Sequence, residues 1–388
     1  MSEVLLKFLN HSDVVEYASD IFIQVNNRPW VNINRQWQIH PHLAHEAPVT
    51  QEELNSFVAA AFEAGDPEES AEIRSADGSL QRTDFSFSIG FAAEHGADAR
   101  EIQLRLRGHT SQDHKGQAVD IRVLSSKIHS MAELGFHEGL SRKLMQQRNG
   151  LILVGGKTGA GKSTTLAAIV RNFWETYPGT RIITLEDPVE HVYQHETCIV
   201  TQKVVGKHVK SWEEGIFSAK REKPDLIVLG ELRTREAIQA ALDAATSHLV
   251  IATTFASQVP RVFDVLAEAH GVTSQDFIAQ KLGYLVRGVI CQSLMPGLKN
   301  DHEPYGRPQL VYEVLVNDLT EIRRAIQERK WGDLRLGNFA QSASRSVRQR
   351  LTDLKERGTI DEAMFQREIS QWDEGDRHPA TRPTTIPR

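Results

Sequence analysis

The chain holds 388 residues, enough for two or three domains with buried cores. Hydrophobic residues at 40% and charged residues at 25% are ordinary globular values, and a net charge of −6 argues against a general nucleic-acid binder. No run approaches 18 apolar residues and the first seven lack the basic-then-apolar order of a signal peptide, so neither membrane insertion nor a leader is expected. The two cysteines, Cys198 and Cys291, sit in apolar runs with no CxxC, which predicts free buried thiols.

Residues 1–125 read as a mixed α+β domain. Residues 21–25 and 30–33 predict a hairpin across Asn26-Asn27-Arg28-Pro29. Trp30 and Trp37 are spaced as hairpin core, with a subunit contact as the alternative. Residues 52–64 have helical periodicity behind Thr50, a suitable N-cap. Residues 85–89, 102–107 and 118–123 alternate apolar and polar, which predicts an antiparallel sheet with one solvated face. Residues 126–148, with Gly135 and Gly139, read as a linker. From 149 to 335 the pattern becomes strand and helix in alternation. Residues 151–154, 181–185, 226–229 and 249–253 are apolar throughout, as in a parallel sheet covered on both faces. A short strand at 310–315 precedes helices at 322–330 and 346–357, the latter with residues 345–357 read as exposed and laced with ion pairs. Residues 336–375 form the helical C-terminal extension, and the Pro-bearing tail 376–388 is expected to be disordered.

The chemistry centres on Gly156-Lys157-Thr158-Gly159-Ala160-Gly161-Lys162-Ser163, followed by Thr164. A buried strand leads in and an apolar helix leads out, the setting of a phosphate-binding loop. Backbone N–H groups and the helix dipole favour a polyanion there, Lys162 reaches the β- and γ-phosphates, and the Ser163 hydroxyl suits Mg²⁺. Two further strands end in acids. One closes with Glu186-Asp187 before Pro188, and Leu226-Ile227-Val228-Leu229-Gly230-Glu231 is a Walker B pattern whose Glu231 serves the metal or the attacking water. ATP with Mg²⁺ is the expected ligand.

Four ordered motifs resemble the secretion and pilus traffic ATPases, the superfamily of PilT and GspE, and within it the DotB/TraJ branch of type IVB secretion and conjugation. They are the Walker A stretch from Asn149 to Thr165, the Asp box Thr184-Leu185-Glu186-Asp187-Pro188-Val189-Glu190, the Walker B stretch from Pro224 to Arg233, and the His-box start Ala244-Ala245-Thr246-Ser247-His248-Leu249-Val250. Ala18-Ser19-Asp20-Ile21 is a weaker match to the family's entry into a PAS-like domain. The resemblance implies an α/β fold: an N-terminal PAS-like α+β domain, a RecA-like P-loop domain with a mostly parallel sheet, and C-terminal helices. It implies Glu186 as a water-activating acid with Glu190 close by, Glu231 as the Walker B glutamate, and His248 near the γ-phosphate. Arg107 and Arg122 would be the N-terminal-domain arginines that approach the same phosphate, and Arg221 and Arg233 are further candidates. It also implies a homohexameric ring in the cytoplasm, held at the inner membrane by secretion or pilus components, with no direct nucleic-acid contact. A weakly hydrolysing regulatory subunit is the alternative.

The chain departs from that pattern in three places. Phe255 stands where a second His-box histidine is expected, Thr234 replaces an acid after Walker B, and Ser247 replaces a glycine. Phenylalanine neither titrates nor donates a hydrogen bond, so slower hydrolysis is expected. His191 and His195 stand four apart, a metal-binding spacing only on a helix, and the neighbouring Pro188, Val192 and Tyr193 predict loop or strand. The basic 203–210 segment reads as a solvated face.

Overall fold

The structure, a computed structural model, describes residues 9, 17–34, 36–63, 71–74, 80–93, 100–125, 127–193, 197–269, 275–300, 305–334 and 342–375. The expected tail and His195 lie outside them. The chain forms two compact units, Met1–Lys127 with Lys299–Arg307, and Ile128–Leu298 with Pro308–Arg388.

The first unit is an antiparallel sheet backed by a helix. Strands β1 (Ala18–Gln24), β2 (Trp30–Ile33), β3 (Gln36–Ile39), β4 (Ala71–Arg74), β5 (Leu80–Ala93), β6 (Arg100–Asp113) and β7 (Gly116–Ser125) lie in the order β3-β2-β1-β7-β6-β5-β4. Helix α1 (Gln51–Glu63) starts in a reciprocal cap: the Glu53 N–H donates to Thr50 Oγ1 and the Thr50 N–H donates to the Glu53 carboxylate. It buries Leu54, Phe57, Val58 and Ala61 against Ile21, Ile23, Val31, Ile33, Val119 and Ile121, each large side chain stabilising by about 1.5–3 kcal/mol. Side chains alternate across a strand, so with Val31 and Ile33 inward Trp30 must face outward, as must Trp37 on the neighbouring strand. Trp30 and Trp37 are accordingly 37% and 48% exposed, which corrects the expectation of hairpin core.

The second unit is a doubly covered, mostly parallel sheet. Its strands are β8 (Gly150–Gly155), β9 (Arg181–Glu186), β10 (Ile199–Val204), β11 (Leu226–Leu229), β12 (Leu249–Thr254), β13 (Val286–Met295) and β14 (Gln309–Val316). They run β10-β9-β11-β12-β8-β13-β14, and only β14 is antiparallel to its neighbour. Alternate residues of the central strands feed two cores. Leu151, Leu153, Ile183, Leu185, Ile227 and Leu229 meet helices α4 (Trp212–Arg221), α5 (Arg235–Ala245), α6 (Val259–Glu268) and α7 (Gln275–Leu285). Ile152, Val154, Ile182, Val228 and Ile251 meet α2 (Glu138–Met145) and α3 (Lys162–Thr176). Both faces covered is why these strands carry no polar alternation.

Helices α8 (Thr320–Gln327), α9 (Val347–Glu356) and α10 (Glu362–Gly375) follow β14. Contrary to a fully exposed reading of α9, Val347, Leu351 and Leu354 pack with Val311 and Phe365, and Arg350 is buried. The Arg350 guanidinium donates to the carbonyls of Leu310 at 2.9 Å and Gly135 at 3.0 Å, and its face lies over the Tyr312 ring. A planar fork with several donors can be buried this way where an ammonium could not. The expected ion pair is present in part, as Arg345 with Asp353 at 2.7 Å.

Candidate nucleotide site

The phosphate loop leaves the C-terminal end of β8 and enters α3 at Gly161, which adopts a φ of 80° and offers no side-chain cap. The first N–H groups of a helix have no partner within it, so they are presented to whatever anion the loop encloses. Gly156 is required by close approach: a Cβ there would stand 2.7 Å from the Gln292 carbonyl oxygen and 2.9 Å from the Ala160 Cβ. From β13, the buried Gln292 donates its side-chain amide to the Ala160 carbonyl at 2.6 Å, tying the crest of the loop to the sheet. Lys157, Thr158, Gly159, Ala160, Lys162, Ser163 and Thr164 follow in the order the motif predicts.

Lys162 folds back so that its Nζ donates to the carbonyls of Gly156 at 2.8 Å and Lys157 at 3.3 Å. Burial pulls its pKa down, opposed by the negative charges of Glu231 and Glu190 and reinforced by Arg233. Arg233 pairs with Glu231 through its Nε. The exposed ring of Phe255, just past β12, lies 4.8 Å from Lys162 Nζ and 5.3 Å from the Arg233 guanidinium carbon. Phe255 is therefore more than a lost hydrogen bond: its ring face is a platform for two cations. Thr234, where an acid was expected, caps α5 by accepting from the Ala237 N–H.

Glu186 ends β9, one strand beyond β11, and is almost fully buried. Its Oε1 accepts from Thr184 Oγ1 at 2.7 Å and from Gln202 Nε2 at 3.1 Å. Burial raises its pKa; the hydrogen bonds from Thr184, Gln202 and the Glu190 backbone work the other way, and the Glu190 charge raises it further. Gln202 is not legible from the sequence, because a glutamine inside a strand carries no local signature.

His248 is not brought to this site. It precedes β12, and its carbonyl accepts from the N–H of Gly150 at the start of β8, whereas the loop leaves the other end at Gly155. Six residues of strand, about 20 Å, separate the two edges. Its ring instead contacts the Ser247 hydroxyl at 2.9 Å. Arg221 also turns elsewhere, stacking on Phe217 at 4.3 Å. In the first unit, Arg107 and Arg122 are direct cross-strand partners on the exposed face of the sheet. Asp20 lies 3.5 Å from Arg122 and offsets their mutual repulsion.

A parallel sheet with a phosphate loop and acid-ended strands on one edge defines a P-loop nucleotide-binding protein of the RecA-like kind. The profile described as Type II/IV secretion system protein matches residues 5–365, and the chain belongs to that family, which includes the secretion and pilus traffic ATPases. The Pseudomonas aeruginosa type IV pilus retraction ATPase PilT is 33% identical over 214 residues, 55% of this chain and 58% of that protein. Matches to the first curated relatives span 58–61% of their length. Among solved structures, the pilus retraction motor PilT with bound ADP has a TM-score of 0.68 at 26% identity, covering 94% of this chain and 96% of that one. The Legionella pneumophila ATPase DotB has a TM-score of 0.73 at 21% identity, covering 96% of both chains, and shares the fold.

Proposed function

We propose that this chain hydrolyses ATP as a motor subunit of a type IV secretion, conjugative or pilus system. The observation that carries the reading is the phosphate loop with Lys162, whose ring partner Phe255 also holds Arg233 of the Arg233–Glu231 pair, together with buried Glu186 at the end of the strand next to β11. Lys162 and the helix N-terminus hold the triphosphate and spread its charge. A water oxygen bonds to the γ-phosphorus as the bridging P–O bond breaks; the electron pair leaves with ADP, and the water proton passes to the Glu186 carboxylate. The Ser163 hydroxyl and Glu231 carboxylate are hard oxygen donors beside the loop, a set that fits Mg²⁺, which when bound neutralises phosphate charge. Arg107 and Arg122, adjacent on their sheet, are the arginines we assign to the γ-phosphate. Arginine fingers contribute about 10³–10⁵ in rate, so alanine at either position is expected to lower kcat while leaving nucleotide affinity near wild type.

The machine is further proposed to be a homohexamer at the cytoplasmic face of the inner membrane, held there by secretion or pilus components. Among the described residues no helix is long and apolar enough to cross a membrane. Light scattering with and without nucleotide tests the ring. A nucleotide-gated regulatory subunit is the second reading, favoured by the uncharged Phe255 at the loop mouth. Lys162→Ala and Glu231→Gln separate the two. Loss of biological function in both supports the motor, whereas function that needs Lys162 but survives Glu231→Gln means that binding suffices.

A further inference from the structure

Gln202 projects from β10 into the turn between Glu186 and Tyr193 and uses three of its four hydrogen-bonding functions there. Its Nε2 donates to Glu186 Oε1 at 3.1 Å and to the His191 carbonyl at 2.8 Å, while its Oε1 accepts from the Tyr193 N–H at 2.8 Å. The amide can sit only this way round. Flipped, its oxygen would face two acceptors and its NH₂ would face an N–H. In the parallel register Gln202 stands beside Thr184, and the Thr184 hydroxyl donates to the same carboxylate oxygen at 2.7 Å. Two strands therefore fix Glu186 Oε1 between them and leave Oε2 as the oxygen not engaged by this pair. The turn that Gln202 ties down also carries Glu190, whose backbone and charge act on Glu186.

We infer that Gln202, together with Thr184, is a positioning residue that sets the orientation of the Glu186 carboxylate toward the attacking water. The inference rests on the reading of Glu186 as the acid that takes the water proton. A carboxylate held by fixed donors keeps one orientation; released from them, it samples other rotamers and the reactive geometry is populated less often.

The test is steady-state ATP hydrolysis by the full chain, with a separate titration of a fluorescent ADP analogue. Gln202→Leu and Thr184→Val are each expected to lower kcat about 10-fold or more. KM and ADP-analogue affinity should stay within about twofold of wild type, because neither residue touches the phosphate loop. Thr184→Ser, which keeps the hydroxyl, should restore the rate. In a Glu186→Gln background, Gln202→Leu should cost no further rate, since the group it positions is gone. Gln202→Glu keeps the size and the acceptor for Tyr193 but sets a second carboxylate against Glu186, so it too should lower kcat at unchanged KM; it also serves if the leucine variant does not fold. Folded Gln202 and Thr184 variants with wild-type kcat, alongside an inactive Glu186→Gln, overturn the inference. A Glu186→Gln variant with wild-type kcat instead overturns the reading beneath it.

Discussion

Removing the ring at Phe255 should tighten nucleotide binding. In the structure the ring holds Lys162 Nζ at 4.8 Å and the Arg233 guanidinium at 5.3 Å, and it is 48% exposed. At exposed sites such contacts are worth about 0.5–1 kcal/mol each. A triphosphate must draw Lys162 away from the ring face, so the Lys162 contact is a cost that Phe255→Leu abolishes at similar side-chain volume. A cost of about 0.5–1 kcal/mol corresponds to about 2–5-fold in Kd. The two lost contacts together should lower the melting temperature of the nucleotide-free protein, by about 2–4 °C for each kcal/mol in a domain of this size. Titration of an ATP analogue, with thermal melts of the free protein, measures both quantities. Affinity that stays the same or weakens in Phe255→Leu, while the melting temperature falls, would refute competition between ring and phosphate. Phe255→His, measured beside it, shows whether turnover is limited at this position; equal rates dispose of that idea.

Glu186→Gln is expected to lower kcat by about 10²–10⁴-fold, the usual contribution of a general base. Because burial raises the Glu186 pKa in the folded protein, the acid limb of wild-type kcat should lie above the ordinary glutamate value of about 4.3, with activity lost as pH falls through it. The same shift stabilises the fold fully below the unfolded-state pKa, and that contribution disappears as pH rises through the folded value. Glu186→Gln should therefore melt higher than wild type at neutral pH and converge with it near pH 4; a constant difference contradicts the buried-charge argument. Gly156→Ala should lose about 1–3 kcal/mol of stability and most nucleotide affinity, since its Cβ meets a backbone oxygen at 2.7 Å. Gly159→Ala has no atom within 4 Å and should cost only the strain of a positive φ, about 1–2 kcal/mol, as denaturant midpoints would show. Arg350→Met should destabilise by about 1–3 kcal/mol by removing the side-chain donor to the Leu310 carbonyl and one of the two donors to the Gly135 carbonyl, which keeps the Tyr312 hydroxyl, without changing KM.

The features legible from the sequence were those encoded within one element or across one turn. The phosphate loop is eight consecutive residues whose glycines, lysine and serine state their own geometry. Strands apolar on both faces could only be the middle of a covered sheet, and β8, β9, β11 and β12 are that. The Thr50 cap and the β1–β2 hairpin are equally local, and both are present. Strands β10 and β13 are hidden in the sequence because polar residues interrupt their apolar runs, Gln202 and Gln292 among them.

By itself, then, the sequence determined the loop, the acid-ended strands and the class of fold, because each depends on neighbours within a few positions. Strand order decided the rest. It set Gln202 on Glu186, 16 residues away, and Gln292 on Ala160, 132 residues away. It turned Phe255 toward Lys162 and Arg233, and left His248 at the far edge of the sheet although its motif precedes Phe255 by only seven residues. A hydrogen bond or a cation over a ring acts over a few ångströms of space, and only the folded sheet determines which residues come that close.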